Sequence, residues 1–292
     1  MASGTAAEQN CTYYDVVKYL NFPSYNKHLL YTIPKKNWED PLELKMDFSL
    51  VSILSVAEKL QTVTFYFLLT LRWKNALVTW KPQDFCGISK IILPEDTFWS
   101  PHIFIFEQVD KEKSSIIPFL SITHNGIVRT RQPHQVTITC SLKIHKFPFD
   151  AQTCNISITT FMYTVRDIII NPGQTEEDLN SKSQLYFQTD GEWKPLNIKI
   201  REHKVIEREE KFSVIVYEIF MQRQPLYYVV NLILPTCMLY LLDMALLFGP
   251  SSHGEKIGFQ ISLILGISML AVILNDILPT SSESLPVIGT CF

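Results

Sequence analysis

Residues 140–154 read CSLKIHKFPFDAQTC, in which two cysteines enclose thirteen residues and Pro148 stands between two phenylalanines. A disulfide between Cys140 and Cys154 would close a loop of about fifteen residues and stabilise the fold by about 3 kcal/mol, because it restricts the unfolded chain. An aromatic residue on each side of a proline favours a cis peptide bond and a rigid turn. The spacing alone therefore predicts a disulfide-closed loop and leaves its purpose open.

The other four cysteines give no sign of a metal site. No pair has the C-x-x-C spacing of zinc sites and thioredoxin-like motifs. Cys11 and Cys86 remain in the polar part of the chain, and an oxidising compartment leaves few reasons for two free thiols, so we predict a second bridge between them. Cys237 is predicted to be a free, buried thiol. Glycosylation sequons at Asn10 and Asn155 fit an exported domain.

The sequence on both sides of the loop reads as β-structure. Apolar and polar residues alternate along residues 42–50 and 136–144, the period of a half-buried strand. Residues 65–72 and 214–221 are rich in β-branched and aromatic side chains, as strands are. Only residues 13–20 resemble a helix in this part of the chain. Many short strands without alternating helices predict a β-sandwich.

Two long apolar runs lie near the C-terminal end. Residues 225–248 and 256–278 are each long enough to cross a hydrocarbon core of about 30 Å. A third apolar segment begins at residues 285–292. We therefore expect a mainly β domain over residues 1–222, followed by a membrane region over residues 223–292 with two complete transmembrane helices. A buried core helix is the alternative interpretation of the first run.

One face of the second run carries a stripe of mixed character. Its members recur at steps of four and three residues, which places them on one side of a helix. Small polar residues at one end, apolar residues in the middle and an acid at the other end fit a water-lined pathway with an apolar constriction. Packing of small residues against a neighbouring helix explains the pattern equally well. The stripe comprises Gly258, Ser262, Leu265, Met269, Val272 and Asp276.

Composition narrows the classes of function. Hydrophobic residues make up 47% of the chain and charged residues 19%, which does not fit a disordered protein. The net charge is −3 and there is no block of Lys or Arg, so we expect no nucleic-acid partner. No G-x-S-x-G, H-E-x-x-H or G-x-x-x-x-G-K motif is present. We expect neither an enzyme nor a bound cofactor or metal.

The loop is where a resemblance to a known family becomes specific. Its pattern C-x6-FPFD-x3-C resembles the signature loop of the Cys-loop pentameric ligand-gated ion channels. The likeness covers nearly the whole chain and is strongest to subunits of the serotonin type 3 receptor in QPLYYVVNLILP and GEKIGFQISLILG. Further matches follow in the family's order at Trp99-Ser-Pro101, Gly191-Glu-Trp193, Arg223-Gln-Pro225 and Gly254-Glu-Lys256 through Leu278-Pro279.

The resemblance implies an extracellular β-sandwich, four membrane helices in each subunit and five subunits around a pore. The second helix lines that pore, so the stripe becomes the lining and Leu265 its central apolar gate. Glu255 and Asp276 would form carboxylate rings at the two mouths and favour cations. The resemblance also implies an agonist site between subunits, where aromatic side chains hold an ammonium group by cation–π attraction.

The residues expected in the agonist site match the family unevenly. Glu107 matches an acid that could pair with an agonist amine, and Phe161 stands where the family carries a tryptophan. Phe119 and Tyr163 are the other aromatic candidates, and simple packing explains all three aromatic residues equally well. The loop at residues 203–212 lacks the paired aromatics expected near its tip. The remaining departures are Leu68, Thr70, Ser121 and Arg131 on the opposite face and His102 in place of an acid.

The residues expected to couple agonist binding to the pore match the family more closely. Glu58, Asp150 and Arg223 match acidic and basic positions at the membrane-facing end of the domain. An arginine between two carboxylates can hold two arrangements and so transmit a shift to the helices. Taken singly, each would be a solvated surface charge. The coupling set also includes Phe147, Pro148, Phe149 and Pro279.

We therefore expect an accessory subunit of a cation-selective, serotonin-type-3-like pentameric channel in the postsynaptic plasma membrane. Its expected partners are other such subunits, a small amine agonist, membrane lipid and permeant cations. Residues 1–10 lack the apolar run of a signal peptide and the chain stops soon after the second run, so a fragment or truncated product is expected. Two alternatives stay open: a truncated, non-conducting isoform that suppresses full-length subunits and is retained in the endoplasmic reticulum, and a ligand-binding domain on a non-conducting membrane anchor.

Overall fold

The fold comes from a computed structural model, which describes residues 11–20, 31–110, 119–188, 191–207, 209–248 and 253–277. The described residues up to Arg223 form a two-sheet β-sandwich domain that includes two helices, and further helices follow it. The strands are β1 (Leu42–Ala57), β2 (Thr62–Lys74), β3 (Lys90–Pro94), β4 (Ile103–Ile105), β5 (Phe119–Thr123), β6 (Ile127–Thr139), β7 (Ala151–Thr160), β8 (Ile168–Pro172), β9 (Trp193–Glu207) and β10 (Glu210–Arg223). The helices are α1 (Tyr13–Tyr19), α2 (Glu176–Tyr186), α3 (Leu226–Tyr228), α4 (Leu234–Phe248) and α5 (His253–Ile277).

The two sheets face each other across one apolar core. The larger sheet has the strand order β3-β5-β6-β2-β1-β8 and the smaller one β4-β7-β10-β9. Phe48 on β1 stacks on Tyr217 of β10 with ring centroids 4.5 Å apart, which joins the sheets at their centre. Alternate residues of β2 point into this core, from Val63 to Trp73. The predicted β-sandwich is confirmed.

The segments predicted as strands fall in four of the ten strands of the described residues. Residues 42–50, 65–72 and 214–221 lie within β1, β2 and β10. The strand predicted at residues 136–144 is wrong beyond Thr139, where β6 ends. There the Gln61 side chain accepts a hydrogen bond from the Leu142 backbone N–H at 2.7 Å, so a side chain takes the place of a neighbouring strand.

The helix predicted at residues 13–20 is confirmed as α1, but it is not alone in the sandwich domain. Helix α2 was not predicted, because only Leu179 and Ser183 of its residues are buried and its polar sequence lacks an apolar stripe. The Thr175 hydroxyl accepts a hydrogen bond from the Asp178 backbone N–H and caps the first turn of α2. The cap and three acidic residues in that turn are the local signals for this helix.

Both predicted disulfides are present. Cys140 is bonded to Cys154, and Cys11 is bonded to Cys86 across 75 residues of sequence. The Phe147–Pro148 peptide bond is cis, as the aromatic neighbours of the proline indicated. Cys237 is free, as expected, but exposed rather than buried in the single chain, where it lines the cleft between α4 and α5.

The C-terminal helices begin directly after β10. Helix α3 continues through a π-helical turn, Val229–Ile233, into α4. Pro235 explains this turn, because proline has no N–H and its ring crowds the carbonyl one turn earlier. Within this rod, Leu226–Ala245 is long and apolar enough to cross a membrane, by length and composition. The apolar part of α5 is shorter, Ile257–Ile273, so one membrane-spanning helix is supported rather than two complete ones.

Several predictions concern residues outside the described ranges. Asn10, Pro279 and the third apolar segment at residues 285–292 all lie there. The backbone of Glu255 belongs to α5, but its side chain is not described.

Candidate functional site

The site is built around Arg223, the last residue of β10. Its guanidinium is completely buried and points to carboxylates from three separate segments. Arg223 Nη2 donates to Glu58 Oε1 at 2.7 Å and Nε donates to Asp150 Oδ1 at 2.9 Å. Arg223 Nη1 donates to Glu192 Oε1. One cation therefore ties the β1–β2 turn, the disulfide loop and the start of β9 to the residue that precedes the helices.

Aromatic rings surround the same guanidinium. Its central carbon lies 4.3 Å from the ring centroid of Trp193, 4.8 Å from that of Phe147 and 5.5 Å from that of Tyr228. Each ring face attracts a cation and excludes water from it. This shell strengthens the ion pairs with the carboxylates because it lowers the local dielectric.

Gln152 fixes the position of the Asp150 carboxylate. Its amide Nε2 donates to Asp150 Oδ2 at 2.6 Å. The same amide exchanges two hydrogen bonds with the Lys143 backbone, at 2.8 and 2.9 Å, and so holds the disulfide loop closed around Asp150. The Arg223 backbone N–H also donates to the Asp150 carbonyl at 3.1 Å. Asp150 is thus held from both sides.

The charge state of the cluster follows from this geometry. Burial acts to lower the pKa of the Arg223 guanidinium. The hydrogen bonds and negative charges of Asp150 and Glu58 outweigh burial and hold that pKa above its ordinary value. Arg223 therefore stays protonated at any pH at which the protein is folded.

Four contacts connect this end of the domain to the helices. The Tyr228 hydroxyl of α3 donates to Glu192 Oε1 at 2.9 Å, and the Tyr228 ring meets the Phe147 ring edge-on at 4.8 Å. Ile144 and Phe147 of the disulfide loop pack with Leu232 of the π-helical turn, and Leu270 of α5 joins them. Lys59 Nζ lies 3.5 Å from Asp276 Oδ1 near the end of α5.

The structure brings together most of the residues predicted for coupling. Glu58, Phe147, Pro148, Asp150 and Arg223 lie at this end of the domain and are buried. Phe149 is 59% exposed and does not join the Arg223 cluster. Glu192 and Tyr228, which belong to the Arg223 cluster, were not predicted from the sequence, and neither was the contact of Lys59 with Asp276. The motif Gly191-Glu-Trp193 was the available signal for Glu192, because it places an acid and an aromatic residue beside each other.

The chain is similar to known proteins over most of its length. Residues 15–225 match the model of the neurotransmitter-gated ion-channel ligand binding domain. That segment covers both sheets and ends just after Arg223.

The chain belongs to this family.

Individual relatives agree with the family match. The 5-hydroxytryptamine receptor 3A of Rattus norvegicus is 34% identical over 261 residues, 89% of this chain and 54% of the relative. The 5-hydroxytryptamine receptor 3B of Homo sapiens is 28% identical over 292 residues, 100% of this chain and 65% of the relative. The acetylcholine receptor subunit alpha of Danio rerio is 29% identical over 273 residues, 92% of this chain and 58% of the relative. The predicted resemblance to serotonin type 3 subunits of the Cys-loop channels is confirmed, and the chain spans 54–65% of these relatives' length.

The residues predicted for the agonist face are divided between exposed and packed positions. Glu107 accepts hydrogen bonds from the Ser157 backbone N–H at 2.8 Å and the Ser157 hydroxyl at 2.6 Å, so both of its carboxylate oxygens have partners. Phe161 is 70% exposed and meets Phe104 edge-on at 5.6 Å. Tyr163 packs against the core, and its hydroxyl accepts from Trp99 Nε1 at 3.2 Å. Of these residues, only Phe161 presents a largely free aromatic ring.

Residues at the departures from the family pattern make their own contacts. Thr70 is buried and Leu68 is half-buried, and the Ser121 hydroxyl donates to the Arg129 carbonyl at 3.4 Å. The guanidinium of Arg131 lies 5.7 Å from the ring centroid of Tyr186 on α2. Phe119 at the start of β5 is 51% exposed, His102 is exposed, and residues 203–206 of the hairpin loop at 203–212 are exposed on β9.

The stripe on α5 lies on the side of the helix away from α4. Leu265, Met269 and Val272 are 63%, 67% and 58% exposed. Leu263 and Ile267 instead line a cleft of 720 Å³ between α4 and α5. Among the stripe's polar members, the Ser262 hydroxyl donates to the Gly258 carbonyl at 3.1 Å, and Asp276 has Lys59 as a partner.

Proposed function

We propose that this chain is an accessory subunit of a cation-selective, amine-gated pentameric channel in the postsynaptic plasma membrane. The family match supports a ligand-gated channel subunit, and the serotonin type 3 relatives favour serotonin as the agonist of the assembled complex. The observation that carries the proposal is the Arg223 cluster. It joins the ligand-binding sandwich to the helices by buried ion pairs rather than by a flexible linker.

In this proposal both helical segments cross the membrane and α5 lines the pore. The stripe Gly258, Ser262, Leu265, Met269, Val272 and Asp276 faces the ion pathway, with Leu265 as the apolar gate. Support comes from its exposure on the side of α5 opposite α4, where neighbouring subunits and water would meet it. An apolar ring of this kind stops ions by excluding water when the pore narrows.

The accessory role rests on the agonist face. A cage for an ammonium group needs several aromatic faces directed at one point. Tyr163 is engaged in the core, Glu107 is engaged by Ser157, and Leu68 and Ser121 offer no ring. We therefore propose that the agonist binds mainly at interfaces supplied by other subunits and that this chain modulates the pore they open.

Coupling in the proposed channel uses the choice of partner at Arg223. Three carboxylates share the one guanidinium, each bonded through a different nitrogen, so their bonds to it can strengthen or weaken in exchange for one another. A small displacement of the disulfide loop shifts its bonds from Asp150 towards Glu58 or Glu192. Tyr228 shares Glu192 with Arg223, so that shift reaches α3 directly.

Charge-selectivity measurements test the proposed function. In channels co-assembled with a conducting serotonin type 3 subunit, the double substitution Glu255→Ala with Asp276→Ala should lower the Na⁺ to Cl⁻ permeability ratio by roughly twofold to fivefold, because each lost carboxylate attracts a nearby cation by about 1 kcal/mol. Reversal potentials in dilution experiments give the ratio. Lys59→Gln is the control, since it removes the partner of Asp276 but keeps the carboxylate. An unchanged ratio with the double variant present at the cell surface would refute a pore-lining α5.

A further inference from the structure

A cleft far from the Arg223 cluster opens beside the first strands of the larger sheet. It has a volume of 510 Å³ and lies between the segment 34–41, the start of β1 and the end of β2. Pro34, Pro41 and Ile127 supply apolar walls, and five side chains supply positive charge: Lys35, Lys36, Lys45, Arg72 and Lys74. Asp40 and Glu43 are the acids in its lining, and Asp40 accepts a hydrogen bond from Asn37 at 3.2 Å.

The cations near this cleft are placed against each other by the sheet. Lys45 on β1 is directly opposite Arg72 on β2, and Arg72 is directly opposite Arg129 on β6. Side chains directly opposite on adjacent strands are close neighbours, and like charges there destabilise the pair. A row of three cations on one face of a sheet therefore favours an anion beside it.

The chain itself neutralises only the middle of this row. Arg72 Nη2 donates to Asp47 Oδ1 at 2.8 Å and to the Gly173 carbonyl at 3.0 Å. Lys35, also in the lining, is engaged by Asp167 at 3.8 Å and by the Arg166 carbonyl. Within the described ranges, Lys45, Lys74 and Arg129 form no ion pair.

One buried donor beside the cleft also lacks an acceptor. Arg72 Nε is buried and has no hydrogen-bond partner in the part of the chain that the structure describes. Trp73 Nε1 is also buried without a described partner, but its side chain points into the sandwich core and not into the cleft. Buried donors are almost always paired in folded proteins, and each unpaired one marks a place where a bound acceptor lowers the free energy.

We propose that this cleft binds a small organic dianion, a molecule with an apolar body and two carboxylate groups. The carboxylates pair with Lys45 and Lys74 beside Arg72, and the apolar body lies against Pro34, Pro41 and Ile127. The volume suits a drug-sized molecule rather than a macromolecule. Asp40 and Glu43 repel ligands whose negative charge exceeds what the lysines neutralise.

The probe for this site is isophthalate, with its neutral diamide, isophthalamide, as the matched control ligand. Calorimetric titration of the full 292-residue chain in detergent micelles should show one isophthalate site and no heat with isophthalamide. Lys45→Gln and Lys74→Gln should each weaken isophthalate binding about tenfold, because each removes a charge-assisted contact. Both lysines are exposed, so the fold tolerates their loss.

Lys90→Gln is the matched protein control. Lys90 is an exposed lysine on β3 of the same sheet, but it lies outside the cleft lining. It should change the affinity less than twofold. The proposal is overturned if isophthalate gives no binding at millimolar concentration, if Lys90→Gln weakens it as much as Lys45→Gln does, or if isophthalamide binds equally well.

Discussion

Replacing Arg223 by glutamine is expected to lower the free energy of unfolding of the chain by about 3–5 kcal/mol. The substitution removes the only cation bonded to Asp150 and Glu58 in the described residues and leaves two buried carboxylates without a counter-charge. It also removes the cation–π contacts to Trp193 and Phe147. Thermal unfolding of the full chain in detergent, followed by near-UV circular dichroism, measures the loss.

Arg201→Gln provides a matched control for this substitution. Arg201 Nε lies 2.9 Å from Glu218 Oε1 on the same sheet, but the Arg201 side chain is 56% exposed, so its loss should cost less than about 1 kcal/mol. Arg223→Lys keeps the charge without the three-way fork and should fall between the two. Equal destabilisation by Arg223→Gln and Arg201→Gln would show that the buried cluster does not hold the domain to the helices.

Expressed by itself, the chain is expected to give no serotonin-evoked current. Two or three aromatic contacts are missing from the agonist face, at Leu68, Ser121 and the loop at 203–212. At about 0.5–2 kcal/mol for each lost contact, the affinity for an amine should fall by roughly one to four decades. Phe161 and Phe119 remain as exposed rings, and two rings are too few for a cage.

Whole-cell recording during serotonin perfusion up to millimolar concentration measures this. In parallel cells that also express a conducting subunit, surface labelling of the chain confirms that it reaches the plasma membrane. The triple substitution Phe161→Trp, Leu68→Trp and Ser121→Tyr enlarges the ring at one position and supplies rings at two that lack them, so it should raise the serotonin affinity of the co-assembled channel. A saturable current from the unmodified chain alone, abolished by substitution of Leu265, would show that the agonist site is complete without a partner.

The sequence predicted those features that depend on neighbours in the chain. Alternation predicted the first part of β1, and β-branched and aromatic residues predicted β2 and β10. Alternation failed beyond Thr139, where β6 ends and the Leu142 backbone N–H bonds to the Gln61 side chain, 81 residues earlier, instead of to a neighbouring strand. It missed α2, which is held by polar contacts such as Asn180 Nδ2 to the Ile198 carbonyl at 2.9 Å.

The residues of the candidate site also divide into those that the sequence predicted and those that only the fold reveals. Arg223, Asp150 and Glu58 could be assigned because their motifs match a family, not because the chain places them together. Asp150 and Glu58 lie 73 and 165 residues before Arg223 in the chain, and only the fold shows that its guanidinium contacts both. Glu192 and Tyr228 were missed because a carboxylate shared between an arginine and a tyrosine leaves no spacing pattern in the sequence.

The central proposal, that α5 lines a pore, is tested most directly by cysteine accessibility. With Cys237→Ser and Cys291→Ser as background, Met269→Cys lies on the exposed stripe and Ile267→Cys faces the α4–α5 cleft. Each variant is co-assembled with a conducting serotonin type 3 subunit and treated with a cationic methanethiosulfonate reagent during agonist application. Pore lining predicts an irreversible loss of roughly half of the current or more with Met269→Cys and almost none with Ile267→Cys. Full current after treatment of surface-expressed Met269→Cys complexes would contradict it.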